Sequence, residues 1–200
     1  MKIKINQEFK ESLIYYISSL ETKDNFHFQP SRDGVTKHGK NLKLGFSCLA
    51  LKSFFILGEW QNLPESKKKT WANYINSFQN EQNTEFSKNS FIDPNYYENI
   101  KKLDIEKEIK RNLKKIFKKN EVKSKDTEIT EFIRAESKQA ISTLAQIGIN
   151  SKFKYEEKIF YSDIKTYLNS LNWNSPWNAG AQYSGLCVFL ETQEKSSNKY

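Results

Sequence analysis

Two hundred residues suit one domain of ordinary size, and 37% hydrophobic with 14% aromatic residues supplies a core, which excludes a disordered chain. Seven Gly and four Pro leave long uninterrupted stretches and favour helices over a many-turned β fold. The net charge of +8 comes from 29 Lys and only three Arg, spread among 24 acids. Lys lacks the planar fork that reads phosphates and base edges, so the charge reads as solvated faces, with no specific nucleic-acid signal.

The chain begins with an amphipathic stretch, Met1 to Leu20, without the apolar core of a signal peptide. No stretch approaches the ~20 apolar residues of a membrane span, so a cytoplasmic protein is expected. Tyr16 to Leu20 reads YISSL, and a polar loop then leads to Phe26. The segment PSRDGVTKHGK follows, with an Asp33-Gly34 turn and His38. From Leu42 to Leu57 the chain is apolar nearly all round, which predicts a helix buried on several sides, and Gly58 stops it. The next helix carries Trp71, Tyr74, Ile75 and Phe78 as one stripe on a Lys/Asn back and leads through a polar loop to Phe86.

Residues 95–127 are Lys-rich and read as a helical insertion, with Leu103, Ile109, Leu113, Ile116 and Phe117 as its stripe. Such a helix lies on the outer wall, or docks an acidic partner or membrane surface. A third apolar helix, AESKQAISTLAQIG, ends at Gly148. Residues 167–171 read YLNSL, and Ser175 with Pro176 then predicts the N-cap and first position of a helix running SPWNAGAQYSGLCVFLETQ. Cys48 and Cys187 sit in apolar runs and read as small buried residues.

Two elements recur in step. YISSL, YINSF and YLNSL place Tyr and a large apolar residue at i and i+4 of one helix face. Ala50 to Gly58 and Ala140 to Gly148 share the same separation within apolar helices. Tyr16 and Tyr74 are 58 residues apart and Tyr74 and Tyr167 are 93 apart, the excess falling on the Lys-rich insertion. An inner apolar helix paired with an outer one, repeated, predicts an all-α protein of helical hairpins arranged around an axis. Leu49, Leu51, Phe54, Leu57, Ile141, Leu144, Leu186 and Phe189 are the expected core.

On these residues the chain resembles the α/α-toroid family of terpenoid cyclases and protein prenyltransferases, with its squalene-cyclase-type repeats. Tyr74, Ile75, Phe78 and Gln79 match the helix part of that repeat, and Thr84 and Phe86 stand where its loop has Gly and Trp. Glu21 and Asn172 replace the Gln in the other copies. The resemblance implies residues 1–200 as a single partial toroid, because a closed ring needs more hairpins than this length supplies. A missing C-terminal portion or a protein partner would complete it, or the hairpins stand as an open array. The Asp-x-Asp-Asp acid of the cyclases does not occur, and Cys48, Cys187, His27 and His38 lack the spacing of a zinc site. Neither metal nor cofactor is expected.

In such a toroid the inner helices open near the mouth of the cavity. The residues there are Asp33 and His38; Arg134, Glu136 and Gln139; and Trp173, Trp177, Gln182 and Tyr183. Parallel inner helices would bring them to one end. Each also has a packing role to weigh: Asp33 in a turn, Arg134 and Glu136 in pairs with other helices, Trp173 and Trp177 as a staple. Three functions follow: a cyclase-like domain binding a hydrophobic ligand such as an isoprenoid, or a sugar, at the mouth of the inner helices; a carbohydrate-active lyase or epimerase type of enzyme; and a non-catalytic protein-interaction scaffold.

Overall fold

A computed structural model of the chain describes residues 6–79, 86–101, 109, 112–113, 125–156 and 164–194. These residues are mostly helical, with only isolated bridges in place of strands. In chain order the α-helices are α1 (Gln7–Ser18), α2 (Leu44–Ile56), α3 (Glu65–Asn76), α4 (Pro94–Lys101), α5 (Lys125–Gln146), α6 (Ile164–Ser170) and α7 (Pro176–Phe189). A π-turn, Leu190–Glu194, follows α7. No helix among the described residues is long and apolar enough to cross a membrane.

Helices α2 and α5 stop in the same way. Gly58 and Gly148 take φ of 75° and 74°, the left-handed region that a Cβ disfavours. At the first, Glu59 N–H donates to Phe54 C=O (2.8 Å), and at the second Ile149 N–H donates to Leu144 C=O (3.0 Å). Both are closures of the Schellman type. After Gly58 the chain turns back into α3, which lays Trp71 against α2. Trp71 is buried and donates its indole N–H to Ser47 Oγ (2.9 Å). Phe26 and Phe28 stack on it with centroids at 5.3 and 5.4 Å, and Phe54 meets it edge-on at 5.5 Å.

Helix α5 lies between α2 and α7, packing on both. Along α2 and α5 the contacts rise together: Gln139 reaches Gly45 and Ser142 reaches Lys52. The two helices therefore run in the same direction. The main core gathers α2, α3, α5 and the aromatic loop residues, and a smaller cluster joins Tyr167 and Leu171 to Ala179 and Leu186 of α7.

The loops after α1 and α3 close alike. Glu21 bridges Phe28 and Gln79 bridges Phe91. Two residues before each aromatic stands a residue of positive φ, Phe26 (64°) and Asn89 (60°). Gln29 N–H donates to Leu20 C=O as Ile92 N–H does to Phe78 C=O, each at 2.9 Å. The sequence aligned Phe26 with Phe86. In the structure the counterpart of Phe26 is Asn89, and Phe86 instead meets Tyr97 edge-on. A register set by backbone closure outranks a match of residue type.

Of the expected core, Leu51, Phe54, Ile141, Leu144, Leu186 and Phe189 are buried. Leu49 is 52% exposed and Leu57 half-buried. Leu49 and Ile56, seven residues apart, lie on the one face of α2 that neither α3 nor α5 covers. Cys187 is exposed on α7, whereas Cys48 is fully buried. Ser175 holds the N-cap position of α7 with Pro176 next, but its side chain makes no capping bond. Within the Lys-rich stretch, Leu103, Ile116 and Phe117 lie outside the described residues, and Ile109 and Leu113 are helical and exposed.

Candidate functional site

Helix α2 has no capping side chain of its own at Lys43. Its free amides are met by Asp93, half a hundred residues on. One carboxylate oxygen accepts from Lys43 N–H (2.6 Å) and Leu44 N–H (3.0 Å), and the other accepts from Asn95 N–H (3.0 Å) in the first turn of α4. A single buried carboxylate thus caps two helices, where the helix dipoles favour a negative charge. Pro94 after it loses no hydrogen bond at the first helical position.

Asp93 is itself held by α5. Its N–H donates to Glu136 Oε2 (3.1 Å), and the neighbouring Phe91 N–H donates to Ser137 Oγ (3.0 Å). Burial pushes the Glu136 carboxyl up to about 8, the Asp93 charge adding to the rise and the Asp93 N–H opposing it. Gln139, one turn along α5, donates to Gly45 C=O at 3.0 Å. Next on this seam, burial pushes the Cys48 thiol up to about 12 against the hydrogen bond to Thr143. It is an inert packing thiol.

A second line of polar contacts crosses the half-buried stripe of α5. Arg134 donates to Tyr167 OH (2.9 Å), Lys138 to Ser184 Oγ (3.0 Å), and Lys52 of α2 to Ser142 Oγ (2.9 Å). Arg134 also lies over the Phe189 ring at 5.8 Å. Beside it a cleft of about 360 Å³ opens between α4, α5 and α7. Its walls are Tyr96 and Phe132, the amides of Asn178 and Gln182, the cations Arg134 and Lys138, and Glu128 and Glu131. Tyr96 stacks on Phe132 with ring centroids 3.5 Å apart and planes 14° from parallel. A larger cavity, about 500 Å³ between α3 and Ile147–Ile149, contains none of the residues singled out from sequence.

The structure sorts those residues into three places. Arg134 and Gln182 share the cleft, and His38 reaches it through Tyr96, its ring centroid 6.1 Å away. Glu136 and Gln139 serve the opening of α2. With Arg134 they do not open α5 as the sequence suggested, because that helix already begins at Lys125. The rest stand apart: Asp33 is exposed beside Gly34 at φ 72°, Trp173 is exposed and donates to Leu168 C=O (2.9 Å), Trp177 is 89% exposed, and Tyr183 lies on the open face of α7. Asp93, Tyr96, Phe132, Lys52 and Lys138 escaped the sequence reading. Asp93-Pro94 is a legible helix start, but its second use at Lys43 is not. Lys138 is the i+4 neighbour of Arg134, a spacing that marks a shared face.

Among the described residues, no group of three or more His, Cys, Asp or Glu is placed to hold a metal. Asp93 is committed to backbone amides and Glu136 to one more, so these carboxylates do structural work. The cleft supplies stacking, amide hydrogen bonds and charge, which are the means of binding a small molecule. No family model, curated protein or solved structure matches the chain.

Proposed function

We propose that the chain is a toroid-type helical-repeat domain, similar in kind to terpenoid cyclases and protein prenyltransferases, that binds a small ligand at the opening of its inner helices. The observation that carries this reading is the cleft between α4, α5 and α7, where a stacked aromatic pair faces two amides and two cations. Support also comes from the matching Schellman ends of α2 and α5, their common direction, and the repeated closure after α1 and α3. Aromatic rings accept an isoprenoid chain or a sugar face, and Asn178 and Gln182 orient a polar end. The free cysteines fit a cytoplasmic setting.

The test titrates neutral isoprenoid alcohols and neutral oligosaccharides separately into the protein and follows the amide and indole signals by NMR. One class should perturb the cleft, and Phe132→Ala or Gln182→Ala should weaken it about tenfold, the scale of one lost good contact. Binding by oligosaccharide alone moves the protein to the carbohydrate-active reading. Silence from both classes overturns ligand binding. The interaction scaffold then stands in front, favoured by the exposure of Trp173, Trp177, Leu49 and Ile56.

A further inference from the structure

The cavity between α3 and the turn that ends α5 shares no residue with the cleft described above. Its volume of about 500 Å³ falls within the range of roughly 300–1,000 Å³ found for small-molecule sites. The floor is apolar. Ile147 and Ile149 flank Gly148, where the chain turns, and both rest on the main core. On the facing side Ala72 of α3 is buried, and its single methyl leaves the space between them open.

The rim comes from the same face of α3, where Glu65, Lys68, Lys69 and Asn73 follow the i, i+3, i+4, i+8 spacing. Two of its charges cancel: Lys68 Nζ donates to Glu65 Oε1 (2.6 Å) and spends a second donor on Gln61 C=O (3.1 Å). Lys69 has no ion pair among the described residues, so the rim keeps one positive charge. Asn73, one turn on, has a side-chain amide that bonds no described group.

Trp60 adds a third donor. Trp71 gives its indole N–H to Ser47, Trp173 gives its own to Leu168 C=O, and Trp177 stands in solvent. Trp60 borders the cavity and is only 7% exposed, yet its N–H meets no acceptor among the described residues and is not sealed in the core. A tryptophan placed so offers an apolar body with a polar handle to what enters. The lining therefore combines an apolar floor, three donors and one net positive charge. A cation would be repelled by Lys69, and a sugar would need acceptors where the one carboxylate is engaged by Lys68.

We propose that this cavity binds an apolar monocarboxylate, an acid of medium chain length. Its carboxylate accepts from Lys69, Asn73 and Trp60, and its chain lies over Ala72, Ile147 and Ile149. The site stands or falls independently of any ligand in the cleft between α4, α5 and α7.

The experiment is titration of the whole chain with octanoate, 1-octanol and acetate at constant ionic strength, followed by calorimetry and by NMR of the indole signals. Octanoate should bind saturably and shift the Trp60 indole signal, which is identified by its loss in W60F. The uncharged 1-octanol should bind about tenfold more weakly, the scale of one lost charge-assisted bond, and acetate should not saturate. K69Q should weaken octanoate about tenfold and leave 1-octanol unchanged, whereas K67Q, on the opposite face of α3, should alter neither. Circular dichroism checks that the variants fold. Lys69 and Asn73 are exposed, so K69Q and N73A carry the test even if W60F does not fold. Equal affinity for octanoate and 1-octanol, equal loss in K67Q, or no saturable heat with octanoate overturns the site. Octanoate that shifts the amides of Phe132 and Gln182 in place of Trp60 overturns it too, because the acid then sits in the cleft.

Discussion

From the middle of α5 Glu136 meets Asp93, and its protonation state sets how well α2 is held. Its ordinary value is 4.5 and burial lifts it to about 8. The folded state therefore holds a proton that the unfolded chain releases, and stability falls as pH rises between those two values. The contribution is complete below about 4.5 and gone above about 8. The charge facing Glu136 is the Asp93 carboxylate, and the Cys48 thiol nearby is neutral, so neither reverses the sign. Glu136→Gln should flatten the decline, and urea midpoints measured from pH 5 to 9 would show it. A variant that declines as steeply as the parent would refute the assignment. Asp93→Ala removes three amide bonds at two helix starts and should cost on the order of 3 kcal/mol in urea unfolding. Its neutral isostere Asp93→Asn should fall between, since it keeps an acceptor but loses the charge that suits both helix dipoles.

Helix α2 shows what a one-dimensional pattern can and cannot convey. The apolar run and its glycine stop were legible, because left-handed termination favours glycine. Which flank of the run is covered was not legible, since that depends on where α3 and α5 land. Phe54 and Leu49 therefore separate two outcomes that the sequence treated alike. Phe54→Ala should cost roughly 3–5 kcal/mol, the range for a buried aromatic beside Trp71. Leu49→Ala, on the uncovered face, should cost under about 1 kcal/mol. Thermal unfolding of both variants decides the orientation, and equal losses would mean that something covers Leu49. The candidate site was half legible for the same reason. Arg134 and Gln182 stood out as polar residues in apolar helices. Lys52 and Lys138 were lost among 29 lysines, because only tertiary packing distinguishes a half-buried lysine from a solvated one.

Across the whole molecule, packing is uneven. The main core joins α2, α3 and α5 around Trp71, while α6 and α7 share the smaller cluster of Tyr167, Leu171, Ala179 and Leu186. Few buried apolar contacts mean a low local opening energy. Amide hydrogen exchange should release α6 and the first turns of α7 well before α2 and α5, with protection differing about tenfold or more. Uniform protection would show that the two clusters open as one. The all-α class was readable because helix periodicity is local. The loop register was not, because Asn89 and Phe91 find their places through bonds to Lys154 C=O and Ser137 Oγ, far along the chain.

Those bonds also bear on how the chain is made. Gln79 makes three hydrogen bonds with two residues: it donates to Asn89 C=O (2.9 Å) and Phe153 C=O (2.8 Å) and accepts from Phe153 N–H (2.8 Å). Asn89 in turn donates to Lys154 C=O at 2.6 Å. A buried amide without these partners would be costly, so the end of α3 cannot be completed by the residues that precede it. On a ribosome, α2 and α3 emerge early but wait for Asp93 to cap one end and for Phe153 to satisfy the other. Nascent chains arrested with about residue 100 outside the exit tunnel should be cut readily by protease near Gln79. Chains arrested with residue 156 outside should resist, because vectorial synthesis has then delivered the last strut that the first hairpin needs.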